Sequence, residues 1–148
     1  MLKTAVVILL ILFVFSGVYI LMAIFTPKLV AGGTFKNITG KELDSVQDAG
    51  YLSALLDRER SLGVFALTSL ISGFFILFVG FRKAQKWAWW ALLFVFGIGY
   101  LWGLIHNIVN VDTLNITLMA IGMVLLLIGL LLPVRDFFAK AGGESQEV

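Results

Sequence analysis

Four stretches of this chain run without a charged side chain for about the distance needed to cross a bilayer: residues 4–25, 62–81, 87–109 and 114–132. A helix rises 1.5 Å per residue, so each covers most or all of the roughly 30 Å hydrocarbon core. Polar residues fall between the runs. The connections after the second and third are short, Arg82 to Lys86 and Asn110 to Thr113, as in helical hairpins. The pattern predicts an all-α, integral membrane four-helix bundle, antiparallel, with a helical extramembrane loop between helices 1 and 2. Residues 1–140 form one membrane domain and residues 141–148 a polar C-terminal tail.

The first run is longer than the apolar region of a cleaved leader and reads as a signal-anchor helix that stays. The long connection, residues 26–61, opens on Thr26-Pro27, which breaks the first helix, and continues into a flexible Gly32-Gly33. Thr39-Gly40-Lys41-Glu42 has the spacing of a capping box and predicts a short helix from Gly40 to Ala49. Tyr51 to Arg60 reads as an amphipathic extension joined directly to the second run.

Composition agrees with lipid as the solvent: 60% of residues are hydrophobic, 14% are charged, and the mean hydropathy is +1.01. The formal charge of +2 is small and scattered, which excludes a nucleic-acid partner. With no cysteine and one histidine, the chain cannot build an iron–sulfur cluster, a bis-histidine haem or a multi-imidazole metal site. No metal and no cofactor is expected. Basic residues set the topology: Lys3, Arg82, Lys83, Lys86, Arg135 and Lys140 lie close to helix ends on one side, whereas Lys28, Lys36, Lys41, Arg58 and Arg60 are spread along the long loop. The positive-inside rule then puts both termini in the cytoplasm, in a prokaryotic inner membrane. Lys86, Trp87, Trp89 and Trp90 beside the basic connection are expected to anchor the third helix at the headgroups.

Small residues mark where helices approach. Gly73 and Gly80 in the second run and Gly122 and Gly129 in the fourth repeat every seven residues, while Gly99 and Gly103 in the third form a GxxxG pair. They serve either internal packing or a surface for another copy or subunit.

No Asp, Glu, Lys or Arg falls within a run, which argues against a proton-coupled transporter. One polar constellation remains, at the outer ends of the helices. His106, Asn107 and Asn110 share a stripe of the third helix, Asp112 and Asn115 follow it, and Arg58 and Arg60 enter the second helix at the same face. As a site, His106 would act as ligand or proton carrier and Arg58 or Arg60 would bind an anionic head group. As plain structure, the amides and His106 satisfy one another and the arginines are solvated.

The segments Phe35-Lys36-Asn37-Ile38-Thr39-Gly40, Arg60-Ser61-Leu62-Gly63 and Phe81-Arg82-Lys83-Ala84-Gln85-Lys86-Trp87-Ala88-Trp89-Trp90 resemble a group of small, uncharacterised four-helix membrane proteins of bacteria and archaea, over roughly residues 34–103. More distantly the layout is similar to DoxX-like proteins, some of which are associated with quinol-oxidising complexes. The resemblance implies the fold and little chemistry. Function is expected to be that of a non-catalytic subunit docking on a larger energy-converting or transport complex, or alternatively of a module binding a lipid, quinone or other apolar molecule. A membrane enzyme is the least favoured class, because no catalytic set is visible. Expected partners are the bilayer, other membrane subunits or a second copy.

Overall fold

The computed structural model describes residues 1–138, so Lys140 and the expected tail 141–148 lie outside the described residues. The described chain is helical almost throughout: α1 (Leu2–Phe25), α2 (Pro27–Thr39), α3 (Ala49–Val79), α4 (Lys86–Val109), α5 (Thr113–Leu131) and α6 (Val134–Phe138). Four of these, α1, α3, α4 and α5, are long and apolar enough to cross a membrane. With 31 residues α3 is about 46 Å long, well beyond the core thickness. Its first turns, Ala49 to about Arg60, therefore continue past the apolar segment as the expected amphipathic extension.

Helix α1 packs against α3 and α5, and α4 packs against α5 and, over a shorter stretch, α3. The buried centre includes Leu9, Leu12, Phe13, Leu77, Phe81, Leu92, Leu126 and Leu130. Across the middle, the Phe13 ring of α1 stacks on Phe96 of α4 with centroids 4.8 Å apart and meets Phe74 of α3 edge-on at 5.1 Å.

The close approaches fall at glycines. A Cβ at Gly73 would overlap the Phe96 ring, one at Gly80 would overlap Trp87 and Ala88, one at Gly122 would strike Tyr100, and one at Gly129 would strike Leu9. In helices that gain nothing from hiding apolar surface from lipid, such ring-on-backbone contact supplies the dispersion that joins them. The GxxxG pair divides. Gly103 fits against the Met119 sulfur, 3.0 Å from where its Cβ would be, but Gly99 meets nothing within 4 Å and is exposed.

The long connection differs from expectation. Pro27 occupies the first turn of α2, where its missing N–H is no loss, and the helix runs through Gly32 and Gly33 to Thr39. Gly40 then adopts a left-handed conformation (φ 69°, ψ 6°) and closes it. The capping box and the Gly40–Ala49 helix are therefore not formed, because Thr39-Gly40 ends a helix rather than starting one. Thr39 Oγ1 donates back to the Phe35 carbonyl at 2.7 Å, and Glu42 pairs with Lys36. A 3₁₀ turn at Leu43–Ser45 buries Leu43 near Gly32, and Asp48 caps α3 by accepting from the Tyr51 N–H at 3.0 Å.

The short turns after α3 and α4 use one device. The N–H of Ala84 reaches the Phe81 carbonyl and that of Gln85 the Gly80 carbonyl; likewise the N–H of Val111 reaches Ile108 and that of Asp112 reaches Asn107. These are Schellman closures with Ala84 (φ 53°) and Val111 (φ 55°) at the position that normally takes glycine.

Lys86 is exposed at the start of α4, and Trp87 and Trp90 are exposed beside it. Trp89 instead faces inward and donates from Nε1 to the Leu130 carbonyl at 2.9 Å. Pro133 ends α5, as expected, and α6 folds back so that Phe137 packs on Phe81 and Phe138 on Trp89.

The glycine contacts predict a division among substitutions. Gly122→Leu or Gly73→Leu should destabilise the protein by about 1–3 kcal/mol or more through overpacking, lowering the melting temperature in detergent, whereas Gly99→Leu should leave it within about 0.5 kcal/mol of wild type.

Candidate functional site

Two polar features lie inside the helix assembly, and neither coincides with the stripe singled out from the sequence. The first is a hub at the end of the assembly where α4 turns into α5. The Schellman turn delivers Asp112 to the head of α5, where it caps the helix and is completely buried. Its Oδ1 accepts from Asn37 Nδ2 of α2 at 2.8 Å and from the Asn115 backbone N–H at 3.3 Å, and its Oδ2 accepts from Asn115 Nδ2 at 2.7 Å. Asn115 Nδ2 also donates to Thr34 Oγ1 at 3.0 Å, and its Oδ1 accepts from the Tyr19 hydroxyl at 3.3 Å. One carboxylate thus ties α1, α2 and α5 together.

No cation neutralises it. The ion pairs among the described residues are Lys28–Asp44 and Lys36–Glu42, both exposed. Burial pushes the Asp112 carboxyl up, but donors from the Asn115 side chain, the Asn37 side chain, the Asn115 backbone and the Thr34 hydroxyl together hold it below its ordinary value. Every buried side-chain polar atom among the described residues has a partner, so the hub is closed upon itself. It is built to fasten the α2 cover to the helix ends.

The second feature is a cavity of about 300 Å³ beneath the hub, bordered by all four long helices. Phe15, Ser16, Tyr19 and Ile20 line it from α1, Ala66, Ser69 and Leu70 from α3, Val95, Phe96, Gly99 and Tyr100 from α4, and Leu118 and Met119 from α5. The walls are apolar apart from hydroxyls. Ser16 Oγ and Tyr100 Oη lie 2.8 Å apart, a hydrogen bond across the assembly from α1 to α4.

The expected outer cluster assembles only in part. Asn110 Nδ2 donates to the His106 carbonyl at 2.7 Å and lies 3.3 Å from its ring Nε2, while Asn107 Nδ2 donates to the Gly103 carbonyl at 2.7 Å. Both amides thus bond within their own helix. Arg58 and Arg60 are exposed, and no hydrogen bond or ion pair joins them to His106, Asn107 or Asn110 among the described residues. No group of three His, Cys, Asp or Glu able to hold a metal occurs among those residues.

Sequence reasoning reached Asp112 and Asn115 as neighbours of the stripe but did not make them its centre, and it missed Thr34, Asn37, Ser16, Tyr19 and Tyr100. A signal existed for three of these. Apart from Thr4, Ser16 and Tyr19 are the only hydroxyl side chains in the first run, and Tyr100 is the only one in the third. An isolated hydroxyl in an apolar run needs a partner. Comparison of the chain with protein-family models, curated proteins and solved structures gives no match.

The hub makes a pH prediction. A carboxyl held below its unfolded value stabilises the fold above roughly pH 4, and that contribution disappears as pH falls through the lower folded value. Asp112→Asn should lower the melting temperature at neutral pH, by the equivalent of about 1–3 kcal/mol. Melts between neutral pH and about pH 3 should show the two proteins converging on acidification; a constant gap would mean that the charge plays no part.

Proposed function

We propose that this is a membrane-embedded binding module for an apolar small molecule, held in the cavity among the four long helices. One observation carries the reading: an apolar chamber bordered by all four helices carries a hydroxyl pair at its wall. Ligand sites between bundle helices have this composition, mostly apolar walls with a few placed polar groups. The chamber is capped at its outer end by the Tyr19–Asn115–Asp112 hub and α2, and closed at the other by the Phe13–Phe96 stack.

In this reading the long helices are an antiparallel bundle across a prokaryotic inner membrane, with both termini and the basic 82–86 connection in the cytoplasm. Pairings that run in opposite directions along the chain support it: Phe13 with Phe74 but Gly63 with Ile24, and Tyr100 with Gly122 but Trp89 with Leu130. The fold is the one implied by the resemblance to small four-helix and DoxX-like proteins. Because the chain lacks cysteine, single reporters at Gln85→Cys and Gln47→Cys test the orientation. A membrane-impermeant maleimide should label Gln47→Cys in intact spheroplasts and Gln85→Cys only in inverted vesicles; the opposite pattern reverses the topology.

A second reading, the docking subunit of a larger membrane complex, is favoured by α4. Only 6% of its apolar window is buried, against 28% in each of the other three, and Ile98, Trp102, Ile105 and Val109 form an exposed stripe along it. Gentle extraction followed by mass spectrometry separates the readings. The module should purify with a bound lipidic molecule in stoichiometric amount; a stoichiometric protein partner and an empty cavity would favour the subunit.

A further inference from the structure

Resting on the binding reading above, we propose that the cavity takes one slender, uncharged chain whose oxygen-bearing head, a hydroxyl or carbonyl, accepts a hydrogen bond from the Ser16–Tyr100 pair. The chain would exchange with surrounding lipid sideways, between α3 and α4 at Gly99.

Charge excludes most amphiphiles. None of the lining residues is Asp, Glu, Lys, Arg or His. A carboxylate, phosphate or ammonium drawn inside would lose its hydration and meet no counter-ion, and at this depth that is prohibitive. Asp112, in the hub at the chamber's end, has its acceptors filled by Asn37 and Asn115, and Glu59 of α3, the other acid whose charge bears on Tyr19, is not among the lining residues.

Hydrogen-bond counting locates the head. Ser16 and Tyr100 carry two O–H hydrogens between them, and their mutual bond uses one. Neither hydroxyl has another partner among the described residues, so one donor faces the chamber's surroundings unmatched. The remaining lining hydroxyls are engaged: Tyr19 donates to Asn115, and Ser69 donates to the Phe65 carbonyl at 3.4 Å. An oxygen acceptor on the ligand therefore has one place to bind. A volume of about 300 Å³ is at the low end of ligand pockets, roughly 300–1,000 Å³, which suits a single chain rather than a polycyclic body.

The opening follows from where packing lapses. Helices α3 and α4 touch at Gly80 against Trp87 and Ala88, and again at Gly73 against Phe96. Toward the hub, the small residue of α4 that lines the chamber is Gly99, and a Cβ there would meet nothing within 4 Å. Gly99, Val95 and Ser69 are exposed although all three line the chamber, so its side is open to the bilayer while its ends are closed.

The test uses the full chain in lipid nanodiscs and three diazirine-tagged probes of equal length: hexadecanol, ionised palmitate and hexadecane. Hexadecanol should crosslink to the cavity segments of α1, α4 and α5 about fivefold more than hexadecane does, a factor set by one hydrogen bond, and palmitate, kept out by its charge, should label no more than hexadecane. Tyr100→Phe, which keeps the ring that packs on Gly122, leaves Ser16 as the sole donor and should lower hexadecanol labelling at most in part, whereas Tyr100→Phe with Ser16→Ala removes both hydroxyls and should bring hexadecanol down to the level of hexadecane. Gly99→Leu should reduce labelling by all probes without changing the melting temperature. Undiminished hexadecanol labelling in both hydroxyl variants overturns the head assignment, and undiminished labelling in Gly99→Leu overturns the side opening. Palmitate labelling equal to hexadecanol overturns the preference for a neutral ligand. Absence of cavity labelling by every probe in the wild type overturns the binding reading itself.

Discussion

Helices that are apolar on every side cannot be sorted by hiding apolar surface, because lipid and protein offer them the same environment. What holds these four together is closeness of fit, and the fit depends on large side chains, most of them rings, lying on glycine backbone. Gly73 receives Phe96 and Phe13, Gly122 receives Tyr100, Gly80 receives Trp87, and Gly129 receives Leu9. Each contact gains dispersion that a Cβ would forbid. The architecture is a set of ring-to-backbone contacts joined by short turns.

The cavity is the complement of that scheme. Phe13 and Phe96 fill the assembly from opposite sides at one level, and Tyr100 turns toward Gly122 at the next. Between the rings and the hub the chamber stays unfilled, and Ser16 meets Tyr100 at its wall through their hydroxyls. The hub then works as a lid fastening. Asp112 gathers Asn37, Asn115 and, through Asn115, Tyr19 and Thr34, so α2 is held across the helix ends by hydrogen bonds to one ion. A buried carboxylate without a cation is tolerable when it accepts several donors, and here it does. Chamber and hub are thereby coupled through Tyr19, which lines one and bonds to the other.

Much of the frame could be read from the chain alone. The four long helices fall on the four uncharged runs, with ends shifted by no more than two residues except where α3 starts early, because lipid-scale hydrophobicity is a property of local composition. Five of the six glycines chosen as packing sites meet a neighbour closely. The loop was misjudged at Thr39-Gly40, where one motif serves as a helix start or a helix stop depending on the backbone of Gly40.

The sequence by itself determined that there are four apolar helical runs, roughly where they end, and that no Asp, Glu, Lys or Arg lies within those runs, since each follows from residues adjacent in the chain. Only the tertiary structure decided that Gly99 stays open while Gly103 packs, that Trp89 turns inward, and that Asp112 rather than His106 is the polar centre. It alone brought Ser16 to Tyr100 and Asn37 to Asp112, 84 and 75 residues apart. Those outcomes depend on which faces of different helices meet, and without a hydrophobic gradient to orient them, that is settled by shape and by the pairing of a few buried polar groups.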